Sequence, residues 1–179
     1  MQKNSPFTNE DYNSGDGMMT SIWGPALWLS LHTISFNYPI EPTEEQKKYY
    51  YKYFKSLQYI LPCRYCRENY EKNLKTHNLT KAVMKNRESL SRWVYELHEM
   101  VNKNLGKNSG LTYEEVRDRY EHFRSRCLVD PKVKPNNSKK EKGCTEPLYG
   151  VKSKCVINIV PKDKELPSFK MDPKCIIKK

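Results

Sequence analysis

Between Ser21 and Cys127 no stretch alternates apolar and polar residues with period two, and helix starts and stops divide the segment instead. That pattern leaves helices as the way to bury its apolar residues. A first helix is predicted from about Gly24 to Asn37, stopped by Pro39. Thr43 followed by Glu44 and Glu45 caps and charges the start of a second, which runs to about Tyr59. Pro62 breaks the chain, and a third helix follows from Cys63 to about Lys75. Ser89 or Ser91 caps a fourth that reaches Leu105 and is closed by Gly106. Thr112 with Glu115 three residues on is a capping box for a fifth, to about Arg126. The fold class that follows is all-α.

The composition changes after Cys127. Residues 128–179 hold 13 Lys, no Arg and six acidic residues, so they supply 7 of the 11 net positive charges. They also carry 6 of the 11 prolines and only 2 of the 21 aromatic residues, a low-complexity basic C-terminal extension poorly suited to a core of its own. Its one apolar run, Val156 to Val160, reads as a short strand or a docking segment. Residues 1–20 read as a flexible leader, which divides the chain into 1–20, a helical domain at 21–127 and a tail at 128–179 with three cysteines. No apolar run approaches the roughly 20 residues that span a bilayer, and the first twenty residues lack a secretory signal. A cytoplasmic location is expected. The charge admits nucleic acid as a partner of the tail, though solubility is the favoured explanation.

Six cysteines in such a chain need a redox, catalytic or metal explanation rather than a passive disulfide framework. The sharpest local feature is Leu61-Pro62-Cys63-Arg64-Tyr65-Cys66-Arg67. Two cysteines three apart at a helix start share one face, and the helix N-terminus with Arg64 and Arg67 favours thiolate over thiol. A zinc site needs four ligands, whereas Cys127, Cys144, Cys155 and Cys175 are singletons, so no metal is expected. A thioredoxin-type site needs a βαβ pattern that is absent. A redox pair on a helical scaffold fits best, but the pair alone does not say which redox protein this is.

Two further features are each ambiguous in isolation. Trp28 and His32 lie one helical turn apart, a flat indole beside an imidazole that suits a planar aromatic ligand or simply a core. His98 and Asn102 repeat that spacing, and Lys107 just beyond the helix end can reach a phosphate as a point charge.

Together the three features resemble the Erv/ALR family of FAD-linked sulfhydryl oxidases over about Trp23 to Tyr120. Gly24, Trp28 and His32 match its Gly-x-x-x-Trp-x-x-x-His pattern, and Pro62, Cys63 and Cys66 its Pro-Cys-x-x-Cys. His98, Val101, Asn102, Leu105, Gly106 and Lys107 match His-x-x-Val-Asn-x-x-Leu-Gly-Lys. The resemblance implies a four-helix bundle plus a short fifth helix, a homodimer, and FAD at one end of the bundle. It implies that Trp28, His32, His98 and Asn102 surround mainly the adenine and ribose, with Lys107 near phosphate or ribose and Tyr120 packed on the cofactor. Cys66 would lie nearest the flavin ring and Cys63 would exchange with thiol-containing protein substrates, with dioxygen as final acceptor and hydrogen peroxide as product.

The match departs from the family at two places. A structural disulfide common in cellular members has Tyr95 at its first position, and a basic position after the first glycine is Pro25 here. The short core with an unrelated tail looks more like versions from large DNA viruses, which would place it in host cytoplasm or the virion. Two of Cys127, Cys144, Cys155 and Cys175 form a shuttle pair, or all are structural or idle. The competing readings are a basic nucleic-acid-binding module and a zinc-stabilised helical module, both without redox activity.

Overall fold

The computed structural model describes residues 5–125, 144–156, 159, 160, 163 and 172–176. Cys127, Ile157 and Asn158, and with them part of the Val156–Val160 run, lie outside the described residues. Among the described residues there are six α-helices and no strand, only an isolated antiparallel bridge between Ser125 and Pro147. After a single helical turn α1 (Asn9–Tyr12) come α2 (Thr20–Phe36), α3 (Glu44–Ile60), α4 (Arg64–Thr76), α5 (Arg87–Asn104) and the shorter α6 (Tyr113–Glu121). The four long helices form the bundle. The helix α2 packs on α5 and α3 on α4, while α6 lies across α2 and α5.

Local chemistry sets most boundaries. Thr43 accepts from the Gln46 amide while Gln46 reaches back to the Thr43 amide, closing a capping box on α3. Thr112 and Glu115 do the same for α6. At the end of α5, Gly106 takes φ 67°, its amide donates to Lys103 and the Lys107 amide donates to Asn102. That Schellman closure satisfies the last carbonyls and requires the left-handed conformation a glycine adopts without strain.

Three boundaries differ from expectation. The helix α2 begins at Thr20, four residues before Gly24, and carries Pro25 inside it. Trp23 packs on the core and its indole N–H donates to the Met18 carbonyl at 2.9 Å, which draws the earlier turn into the helix. The cap of α5 is Asn86, not Ser89 or Ser91: its side chain accepts from the Ser89 amide at 2.9 Å. The Ser91 hydroxyl is committed elsewhere, lying buried 2.8 Å from the Tyr113 hydroxyl and joining α5 to α6. The helix α6 stops at Glu121 rather than near Arg126, because Arg124 turns back to the Phe36 carbonyl at 2.8 Å and to Glu121.

The core is continuous through the bundle, with Leu31, Tyr38, Phe54, Leu57, Tyr70, Trp93, Val94 and Leu97 among its buried members. Each fully buried side chain of this kind contributes about 1.5–3 kcal/mol. A second cluster of Phe36, Tyr113 and Val116, joined by Tyr95 and Tyr120, seats α6. Tyr95 is where the resemblance implies that relatives begin a structural disulfide. Its hydroxyl donates to the Leu111 carbonyl at 2.7 Å and its ring meets Tyr113 edge-on, so a hydrogen bond and packing tie α5 to the loop before α6.

Candidate active site

Two groups of side chains carry chemistry. The first is at the start of α4, where Leu61 closes α3 and Pro62 allows an abrupt turn. Cys63 is itself the N-cap of α4, in extended backbone, and its sulfur accepts from the Cys66 amide at 3.3 Å. The pair is present as free thiols, both half-buried. Their acidities diverge. The Cys66 thiol donating to Cys63, amides at the helix start and the Arg67 charge hold the Cys63 thiol below its ordinary range. Burial, the same hydrogen bond and the Cys63 charge push Cys66 up to about 12. Of the two sulfurs, Cys63 is therefore the one that gives up its proton more readily. Of the two neighbouring arginines, Arg67 acts on Cys63 and is pinned to the Leu61 carbonyl at 2.6 Å. Arg64 turns outward to Tyr65 and Glu68.

The second group is a ladder of aromatic rings between α2, α5 and α6. Trp28 stacks on His98 with centroids 3.9 Å apart and planes within 5°. His32 lies 2.9 Å from His98 through Nε2 and Nδ1, and Tyr120 stacks on His32 at 5.1 Å. Phe36 continues the series against Tyr120, also at 5.1 Å. Phe36 was not singled out from sequence, although Trp28, His32 and Phe36 recur at four-residue intervals on one face.

Burial drives both imidazoles neutral, His32 to about 3 with help from the His98 charge, and His98 to about 4 against a small opposing pull from Glu99. The exposed value is 6.5, so the unfolded chain binds more protons than the folded one between these limits. Stability is fully present above pH 6.5 and is lost as the pH falls toward 3. Thermal melts of the ligand-free chain should shift steadily downward from pH 7 to pH 4, and less so for His98→Gln. A melting temperature independent of pH over that range would show that these rings are not buried neutral.

The structure thus brings Trp28, His32, His98 and Tyr120 together, as the sequence led one to expect, while three other expected residues stand apart from the ladder. Asn102 donates to Glu99 at 3.0 Å. Lys107 is exposed at the Schellman turn. Gly24 has nothing within 4 Å of where a Cβ would sit, so open space lies over the Trp28 side of α2. Cys66 and Trp28 pack on the same core cluster, which places the thiol pair and the ladder on one scaffold.

A flat aromatic ligand fits this arrangement. Trp28 and His98 are parallel, both imidazoles are neutral, and the His32 Nδ1 atom is buried without a hydrogen-bond partner. Among the described residues, no three His, Cys, Asp or Glu side chains converge as metal ligands would. Cys144 is disulfide-bonded, while Cys155 and Cys175 are free. Among the described residues no helix is long and apolar enough to cross a membrane.

Comparison with known proteins gives one consistent answer. A family model described as the Erv1 / Alr family matches residues 25–121. A probable FAD-linked sulfhydryl oxidase of Acanthamoeba polyphaga mimivirus is 42% identical over 99 residues, covering 55% of this chain and 68% of that protein. The mitochondrial FAD-linked sulfhydryl oxidase ERV1 of Saccharomyces cerevisiae is 33% identical over 84 residues, 47% of this chain and 43% of that one. The chain thus spans less than half the length of the yeast relative. The crystal structure of the yeast Erv1 core superposes with a TM-score of 0.53 at 28% identity, covering 65% of this chain and 95% of the core.

Proposed function

This chain belongs to the Erv1 / Alr family, and from that premise we propose that it is an FAD-linked sulfhydryl oxidase that makes disulfides at Cys63 and Cys66. The observation that carries the reading is a CxxC pair at a helix start, with Cys63 as the cap accepting from the Cys66 amide, on one scaffold with an aromatic ladder. In this reading the oxidase domain is residues 21–127, with a leader at 1–20 and a basic tail at 128–179. Gly24, Trp28, His32, His98, Asn102 and Tyr120 would hold FAD, with Lys107 near its phosphates or ribose. Bound FAD would supply a two-electron acceptor for the Cys63–Cys66 dithiol, with dioxygen as the final acceptor and hydrogen peroxide as the product.

The chain's own residues do the thiol chemistry. A substrate thiolate attacks Cys63 in the Cys63–Cys66 disulfide; a sulfur–sulfur bond to substrate forms and Cys66 leaves as thiolate. Cys66 suits that role better once Cys63 is bonded to substrate. Two of the causes that raise its pKa, the hydrogen bond and the charge of Cys63, vanish at that moment. A second substrate thiolate then attacks the mixed disulfide, releasing oxidised product and returning Cys63 as thiolate, the form its surroundings favour. The helix N-terminus and Arg67 stabilise that charge. The balance is two substrate thiols and one dioxygen to one disulfide and one hydrogen peroxide.

The proposal extends to thiol-containing protein substrates, to a homodimer, and to host cytoplasm or virion, the last supported by the likeness to the mimivirus protein. The full chain given dithiothreitol in air is expected to consume oxygen and release one hydrogen peroxide per oxygen consumed. Absence of thiol-dependent uptake by FAD-loaded protein would refute the reading.

A further inference from the structure

We propose that Gly17 is a positioning residue for Cys63: its lack of a side chain lets residues 17 and 18 lie flat on the Pro62–Cys63 peptide and hold the thiol at the helix cap. The proposal deepens the oxidase reading and rests on Cys63 being the exchanging cysteine.

Gly17 and Met18 lie against the start of α4 as a strap. The Met18 amide donates to the Pro62 carbonyl at 2.8 Å, and the Met18 carbonyl accepts from the Trp23 indole at 2.9 Å. On the other side of the same peptide group, the Cys63 amide donates to Leu61 at 2.8 Å. The peptide that carries Cys63 is therefore clamped at both its oxygen and its nitrogen. The side chains of Met18 and Met19 are 71% and 69% exposed, so the strap makes this contact through its backbone.

Gly17 sits where no side chain fits. A Cβ there would lie 2.9 Å from the Pro62 oxygen and 3.1 Å from the Cys63 Cα, both backbone atoms with no flexible end to swing away. Alanine must either lift the strap or push the peptide. Both loosen the clamp on Cys63, whose sulfur accepts from the Cys66 amide at 3.3 Å. By contrast, Gly15 has nothing within 4 Å and is a matched control in the same segment.

The test is the pH profile of Cys63 alkylation by iodoacetamide in the reduced full-length chain, quantified on the Cys63 peptide by mass spectrometry. Gly17→Ala should move the midpoint up by about half a unit or more, roughly threefold slower alkylation at pH 7, because thiolate stabilisation weakens. Gly15→Ala should superpose on the wild type. Trp23→Phe, which removes the indole N–H bond to Met18 together with part of the ring's packing, should shift the midpoint the same way and decides the matter where Gly17→Ala does not fold. Profiles of folded Gly17→Ala or, failing that, Trp23→Phe that match the wild type overturn the proposal. Alkylation needs neither cofactor nor oxygen, so an unchanged profile in an active oxidase sinks the role of Gly17 alone. An inactive wild type sinks the oxidase reading whatever the profile.

Discussion

Serine in place of Cys66 is expected to lower thiol-dependent oxygen consumption by about a thousandfold or more, with the helical fold intact. Both cysteines are half-buried, and Cys66 is the one packed against the bundle core. A serine hydroxyl fits that volume and can still donate to Cys63, but it can neither form the disulfide nor leave as a thiolate. Cys63→Ser should fall to a similar level, and the double variant no further, because the two sulfurs act as one unit. An oxygen electrode with dithiothreitol as reductant measures all three. Activity of Cys66→Ser within tenfold of wild type would mean that electrons reach oxygen by another route.

Alanine at Phe54 is expected to cost about 3–5 kcal/mol of unfolding free energy, the largest stability loss anticipated for a single core truncation here. Phe54 is fully buried on α3, and its ring meets Trp93 of α5 edge-on at 5.7 Å. Its backbone carbonyl accepts from the buried Tyr70 hydroxyl of α4 at 2.9 Å, so this position joins three helices. The Tyr70 bond survives the substitution; the lost area and the void under α4 carry the cost. Tyr59, on the same helix but 75% exposed, should change stability by less than about 0.5 kcal/mol when made alanine. Urea denaturation of both variants checks the contrast, and a Phe54→Ala loss below about 1 kcal/mol would place the core elsewhere.

The parts of this fold legible in sequence are those decided within a few residues. Thr43, Thr112 and Gly106 announce helix ends by hydrogen bonds or backbone conformation that neighbours supply. Asn86 was not distinguishable from Ser89 and Ser91 by local preference. The choice was settled by Tyr113, which engages the Ser91 hydroxyl from another helix. The early end of α6 depends likewise on Arg124 reaching Phe36 across the bundle. At the site, the cysteine pair and the Trp28 and His32 spacing were readable, and the contact of His32 with His98 followed once both helices were placed on one bundle. Asn102 and Lys107 matched a pattern, yet their side chains point to local partners or solvent. Nothing near Gly17 in sequence says that it lies on Pro62; only the tertiary fold shows it.

The most direct test of the central claim is the visible absorption spectrum of the purified full chain, recorded without air before and after dithiothreitol. A flavin band near roughly 450 nm that bleaches with thiol and returns when air is admitted is the expected result. A colourless protein that takes up no added FAD would contradict it.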